Sequence, residues 1–290
     1  MAGRGRMNRR AWRAFTAARD QYRDFAGVLE RQLPELRALQ QELVNRRQGP
    51  AYTVETPVVY NQALEDVKSG DDIRLILVAD NPGRREQAAE NRRYLVGPSG
   101  KIAEKFFRDN PALDIDFRRQ VIILNKTPIH TPRTAELREL ARLSGGESAV
   151  ASGIVESQRV MARLIREFHR ALSLDKTPAG FVPVWIIGYS EMKKGGIFEA
   201  FTETLRELYA PPVIPGSAPP TKTPAKGRDR EGRENGDRPT EPPGDWLFLF
   251  RHFSMNQFTI DLRQKAAAEE PVAEALTRIG AAYRERILGW

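Results

Sequence analysis

Four short runs of aliphatic and β-branched residues constrain this chain more than anything else in it: residues 73–78 (IRLILV), 120–124 (QVIIL), 181–187 (FVPVWII) and 246–250 (WLFLF). They are apolar nearly throughout, as strands buried on both faces are, and helical periodicity separates one from the next. Strands alternating with helices predict an α/β fold: three layers, α/β/α, around a central, mainly parallel four-stranded sheet. Each run stops at a polar turn. The turns are Asp80-Asn81-Pro82-Gly83, Asn125-Lys126-Thr127-Pro128, Gly188-Tyr189-Ser190, and a stretch holding His252 and Ser254. In a parallel sheet these ends share one rim, where ligands of such folds bind.

The helical patterns fill the intervals. Residues 8–47 carry Phe15, Tyr22, Leu29, Leu36 and Leu43 at a spacing of seven. Pro34 removes a main-chain hydrogen bond, so two helices packed on the main domain are expected rather than one rod. A short helix is expected at 61–68. The turn Gly97-Pro98-Ser99-Gly100 launches another over 101–108, and its free N–H groups favour an anion. Further helices are expected at 134–143, 152–172 and 196–209, with one or two near Pro271 closing the chain. Residues 211–244 hold nine Pro, five Gly and almost no apolar residues, the composition of a disordered insertion. The expected organisation is a basic helical extension at 1–50 and an α/β domain at 51–290 that carries the insertion.

Composition narrows the chemistry. At 290 residues and 40% hydrophobic, the chain can bury one large core or two small ones. It has no cysteine, which excludes disulfides, thiolate zinc sites, cysteine-bound iron–sulfur clusters and cysteine nucleophiles. Three histidines without HExxH spacing argue against a catalytic metal. Without a secretory leader or a bilayer-length apolar stretch, the expected location is cytoplasmic. The net charge is +8, and residues 1–50, with eleven Arg against five acidic residues, hold most of the excess. Phosphate contact and a solvated helix face both fit that pattern.

Some motifs fail on inspection. Gly97-Pro98-Ser99-Gly100-Lys101 departs from a phosphate-binding loop of the GxxxxGK[ST] kind, having Leu95 and Ile102 at two required positions. No GxGxxG follows a strand. His169, in REFHRAL, reads as a structural mid-helix residue, and His130 is the weaker histidine candidate for the rim.

Taken in order, the rim motifs resemble the uracil-DNA glycosylase superfamily over about residues 55–260. Ala79-Asp80-Asn81-Pro82-Gly83 is similar to that family's first motif, a strand followed by a turn such as GINPG or GQDPY. Pro82 to Glu86 and Leu95 to Gly100 resemble its PGxxE and FVGxxG elements. Ile122-Ile123-Leu124-Asn125 is similar to the element whose Asn reads the base, and Trp185 to Gly195 to the LLWGSYAQKKG stretch. His252-Phe253-Ser254 resembles the HPS motif. Leu95, with Tyr94 beside it, stands where the family has a stacking Phe, and Phe253 replaces the Pro of HPS. The cysteines of the thermostable branches are absent.

The resemblance implies a monofunctional hydrolase that removes uracil or a related deaminated base from DNA. It makes Asn81 the residue that positions water and His252 the one that stabilises the leaving base. Asn125, Leu95 and Tyr94 would contact the base. Ser99, Ser190, Ser254, Arg84 and Lys126 are the candidate phosphate contacts, with Arg85 beside them. The expected partner is uracil-containing DNA, single- or double-stranded. No cofactor, metal or membrane is expected, and the expected state is a monomer. Two alternatives stay open: a DNA-binding module of the same fold with little or no catalysis, and a nucleotide-handling enzyme that uses the Gly97–Gly100 turn for a free phosphate.

Overall fold

A computed structural model of the chain describes residues 6–177, 180–210 and 244–290. The four apolar runs form the strands β1 (Leu75–Ala79), β2 (Val121–Asn125), β3 (Val184–Ile187) and β4 (Leu247–Phe250). All pair in parallel, in the order β2-β1-β3-β4. The insertion read at 211–244 lies, apart from Gly244, outside the described residues.

Period-two alternation divides the strand side chains between two cores. Ile76, Val78, Ile122, Leu124, Val184 and Ile186 face one. It is closed by α1 (Arg9–Gln32), α2 (Leu36–Arg46), α4 (Glu136–Leu143), α5 (Ala149–Ser173) and α6 (Glu199–Tyr209). Leu75, Leu77, Ile123, Trp185 and Phe250 face the other, whose filling is largely aromatic. There α3 (Pro98–Asp109) brings Phe106 and Phe107, and α7 (Gln257–Lys265) brings Phe258. The last helix, α8 (Val272–Leu288), packs along β4 at the sheet edge. The three layers read from strand–helix alternation are therefore present.

The N-terminal helices belong to the first core. Phe15 and Phe168 meet edge to face at 5.3 Å, and Phe15, Tyr22, Leu29, Leu36 and Leu43 are all buried. The helix pair breaks between Gln32 and Leu36, where Pro34 forbids an uninterrupted main-chain ladder. Many of the arginines here pair with carboxylates: Arg10 with Asp175, Arg23 with Glu65, Arg37 with Glu30. The excess of positive charge is largely that of an ion-paired helix surface.

Chain direction sets where a ligand can enter. From β1 the chain crosses by α3 on the aromatic face to β2. From β3 it crosses by α6 on the opposite face to β4. The loops leaving the neighbouring strands β1 and β3 thus diverge, which opens a crevice at their carboxyl ends.

Candidate functional site

A cavity of about 890 Å³ occupies that crevice. The turn after β1 contributes Asp80, Asn81, Gly83, Arg84 and Glu86 to its wall, and the start of α3 contributes Leu95, Gly97 and Ser99. Ser190 enters after β3, and His252 and Ser254 after β4. Eight of the residues singled out from sequence therefore share one wall: Asn81, Arg84, Arg85, Leu95, Ser99, Ser190, His252 and Ser254. The N-terminus of α3 opens onto the cavity as expected. Gly100 lets it approach, because a Cβ there would sit 1.5 Å from the Leu95 carbonyl oxygen.

Asn81 is oriented by Thr131. Its Nδ2 donates to Thr131 Oγ1 at 2.9 Å and to the Thr131 carbonyl at 3.2 Å. With the NH₂ group so engaged, Oδ1 is the atom left to accept a hydrogen bond from a ligand or water. The imidazole of His252 is fixed as tightly. The Ser254 main-chain N–H donates to Nδ1 at 3.0 Å, and the Ser254 hydroxyl lies 2.8 Å from the same atom. Nδ1 is thereby the acceptor, and the ring proton belongs on Nε2. Burial pushes the pKa of His252 below the ordinary histidine value. Asp80 opposes that shift, and Lys126 adds to it. At neutral pH the ring is an uncharged donor.

Three of the expected contacts lie elsewhere. Lys126, read as a phosphate contact, is wholly buried: its Nζ lies 2.5 Å from Asp80 Oδ1 and 2.5 Å from the Ile187 carbonyl. A residue after a strand end points to the face opposite its predecessor, and here that direction leads beneath the sheet rim rather than to solvent. Tyr94, read as a stacking surface, donates its hydroxyl to the Val59 carbonyl at 2.5 Å and bonds the Tyr22 hydroxyl of α1. It anchors the N-terminal helix and offers no ring face to the cavity. Asn125 ends β2 beside Ala79 but outside the cavity wall, 1% exposed, and its Nδ2 has no hydrogen-bond partner. An unpaired buried amide costs about 1–3 kcal/mol, so this donor is a group in want of an acceptor.

Several residues of the site were not singled out from sequence. Glu86 ties the two walls together: its carboxylate accepts the Gly83 N–H at 2.8 Å and the Leu95 N–H at 2.6 Å. Burial pushes its pKa up to about 7, against the downward pull of these amides and that of Val96. Asp80 lines the cavity while paired to Lys126 and to the Thr134 hydroxyl. It also crowds Gly188, whose φ of +79° and adjacency to Asp80 Oδ1 leave no room for a side chain. Met255 is 77% exposed, directly after His252-Phe253-Ser254, and both it and Asn256 have left-handed backbone, at φ 52° and 58°. Two such residues in succession project an apolar side chain from the rim at a conformational cost. Arg251, Lys265, Tyr283 and Arg286 complete the wall beyond β4. Only Arg251, next to His252, had a local signal.

His130 braces the site from behind. Its Nδ1 donates to the Pro82 carbonyl at 2.8 Å, and its Nε2 accepts from the Tyr52 hydroxyl at 3.0 Å. Gln40 of α2 donates to the His130 carbonyl at 2.7 Å. Burial lowers the pKa of His130 to about 4 and that of His169 to about 3. As pH falls below 6.5, the unfolded chain binds protons that these folded imidazoles refuse, so stability is lost. Glu86 acts in reverse, adding stability as pH falls from 7 toward 4.5. The two imidazoles outweigh the one carboxyl, and a net loss on the order of 3–5 kcal/mol between pH 7 and 4 is expected. Urea unfolding at both pH values measures it. His130→Gln with His169→Gln should flatten the profile, and a wild-type stability that does not fall toward pH 4 would contradict these assignments.

The parallel sheet with a cleft over its switch point defines an α/β domain of the class that takes its ligand at the strand ends. No protein-family model matches the chain, and no curated protein matches it. Among the described residues no group of three His, Cys, Asp or Glu side chains is placed to hold a metal ion, and no helix is long and apolar enough to cross a membrane.

Proposed function

We propose that the chain is a DNA glycosylase that hydrolyses the N-glycosidic bond of uracil, or of a related deaminated base, in DNA. One observation carries this reading. An amide whose oxygen alone is left to accept, and a neutral imidazole whose Nε2 alone is left to donate, line the same cleft. An acceptor to hold water and a donor for the departing base are two groups that would assist hydrolysis of a pyrimidine nucleoside.

The target base leaves the stack, at a cost of a few kcal/mol that is lowest in single strands and mismatches. As the glycosidic bond stretches, positive charge grows on the sugar and negative charge on the base at O2. His252 Nε2–H donates to that oxygen. A neutral donor in a low-dielectric cleft gains most when the charge is fully developed, so it favours the transition state over the bound substrate. Asn81 Oδ1 holds the attacking water by one hydrogen bond. An amide orients and does not deprotonate, so the water sheds its proton only as it bonds to the sugar carbon. The C–N electron pair leaves with the base, and that proton passes through solvent to the base anion, which departs neutral. Turnover slower than a carboxylate would allow follows.

Asn125 is the base reader in this proposal. Its unpartnered Nδ2 would donate to uracil O4, and its Oδ1 would accept from N3–H. Cytosine presents the reverse pattern and leaves both groups unpaired. Because Asn125 is buried outside the cavity wall, reading by it requires that wall to open when the base enters. Exposed Met255 supplies an apolar side chain to fill the gap left in the stack.

The test is to incubate the full chain with uracil-containing single- and double-stranded oligonucleotides and detect abasic sites by alkaline cleavage. Strand breaks at uracil are expected, with the single strand cut faster. Folded protein that yields none on either substrate refutes the reading. Retained binding to abasic or single-stranded DNA in that case would favour a binding module of the same fold.

A further inference from the structure

The wall beyond β4 is built around a single carboxylate. Asp261 of α7 is buried, and both its oxygens lie 2.8 Å from the Tyr283 hydroxyl of α8. Arg251 and Lys265 each approach it to 3.4 Å. Lys265 also bonds the Tyr283 hydroxyl and stands 4.2 Å from the centre of that ring. Arg286 lies over the same ring at 4.9 Å and over Tyr189 at 5.2 Å, and the two rings pack 4.4 Å apart. Among the described residues Arg286 has no carboxylate within 4.0 Å. Two cations therefore share one acid and a third has none in reach, which leaves positive charge in excess around Tyr283 on the wall of the cavity that holds His252.

A surface ion-pair network does not need this construction. Cations held on tyrosine faces lose little further side-chain freedom when an anion arrives. Pointing into a cleft with low-dielectric walls, they concentrate anions there. Arg251, Lys265 and Arg286 are drawn from the end of β4, from α7 and from α8, and none is paired with Asn81, His252 or Glu86. Their function is thus separable from the bond-breaking groups.

We propose that Arg251, Lys265 and Arg286, set on Tyr189, Tyr283 and Asp261, form a phosphodiester subsite for the strand leaving the cleft on the β3–β4 side. The inference rests on the glycosylase reading only in taking that strand to be DNA. Backbone contacts of this kind hold a strand in register without reading its sequence.

The experiment uses the full chain and a fluorescein-labelled 15-nucleotide single strand without uracil, titrated by anisotropy at several salt concentrations. Wild type, Arg251→Ala, Arg286→Ala and the double variant are compared, after urea unfolding has shown that each is folded. For a single strand each lost phosphate contact lowers the slope of log affinity against log salt by roughly 0.7, so the double variant should lose about 1.4, with affinity down about tenfold or more at 50 mM salt. Arg286→Lys should keep most of the slope. On a uracil-containing strand the double variant should raise KM and leave kcat within about threefold. Unchanged slope and affinity in the double variant would overturn the subsite. So would loss of affinity for free deoxyuridine monophosphate with oligonucleotide binding intact, because the site would then serve a nucleotide rather than a strand. Salt-dependent binding that the double variant weakens, with no excision by wild type, sinks the glycosylase reading and keeps the subsite. Excision by wild type with no effect of the double variant on binding does the opposite.

Discussion

His252→Ala is expected to lower the rate of uracil release about 10²–10³-fold, the usual effect of deleting one donor from a site where negative charge develops. The loss should appear in kcat with KM nearly unchanged, because the hydrogen bond to O2 is weak until the bond breaks. His252→Gln keeps a donor on a longer, less constrained side chain and should recover part of the rate. Single-turnover excision from a uracil-containing single strand measures all three forms. A rate within threefold of wild type for His252→Ala would remove the imidazole from the mechanism. Asn81 is constrained differently. Aspartate there would place a carboxylate oxygen against the Thr131 carbonyl, 3.2 Å from the present Nδ2. The Thr131 turn therefore selects the amide, and Asn81→Asp should lose local order before it gains a base.

Lys126→Met should cost about 3–5 kcal/mol of folding stability, the cost of leaving a buried charge without its partner. Asp80 would remain at the base of the cleft with no cation, and the Ile187 carbonyl would lose its donor. Burial pulls the pKa of Lys126 down and Asp80 pulls it back up, so the ammonium depends on that carboxylate for its charge. Asp80→Asn should be damaging in turn, because it strands the ammonium. The double replacement Lys126→Met with Asp80→Asn should cost less than the two single losses added, since neither charge is left alone. Urea denaturation of the four proteins gives the coupling. Additive losses would show that the pair is not the interaction described.

The strands, the helix break at Pro34 and the turn positions were legible because each is encoded within a few residues. An apolar run of five, a proline without an N–H, or an Asn-Pro-Gly turn carries its meaning wherever it lies in the chain. Parallel pairing then requires all strand ends to face one way, so Asn81, Ser190 and His252 could be assigned to one rim before any distance was known. The Leu95–Ser99 turn joined them because helix starts in such folds open at the same edge.

Long-range partnership was not legible. Tyr94 is removed from the rim by Tyr22, 72 residues earlier in the chain. Lys126 is turned under the sheet by Asp80, and Asn125, its neighbour, goes to the other face because successive side chains at a strand end diverge. Glu86 joins two turns whose proximity exists only after α3 has docked. Arg286 reaches the cleft only because α8 runs along β4.

By itself, then, the sequence determined the element types, the parallel sense of the sheet and the rim on which polar groups gather, since periodicity and turn chemistry are local properties. Only the tertiary structure decided which of those polar groups face the cavity and which are engaged by partners. A side chain's free donors and acceptors depend on neighbours that packing, not sequence proximity, brings within hydrogen-bond reach.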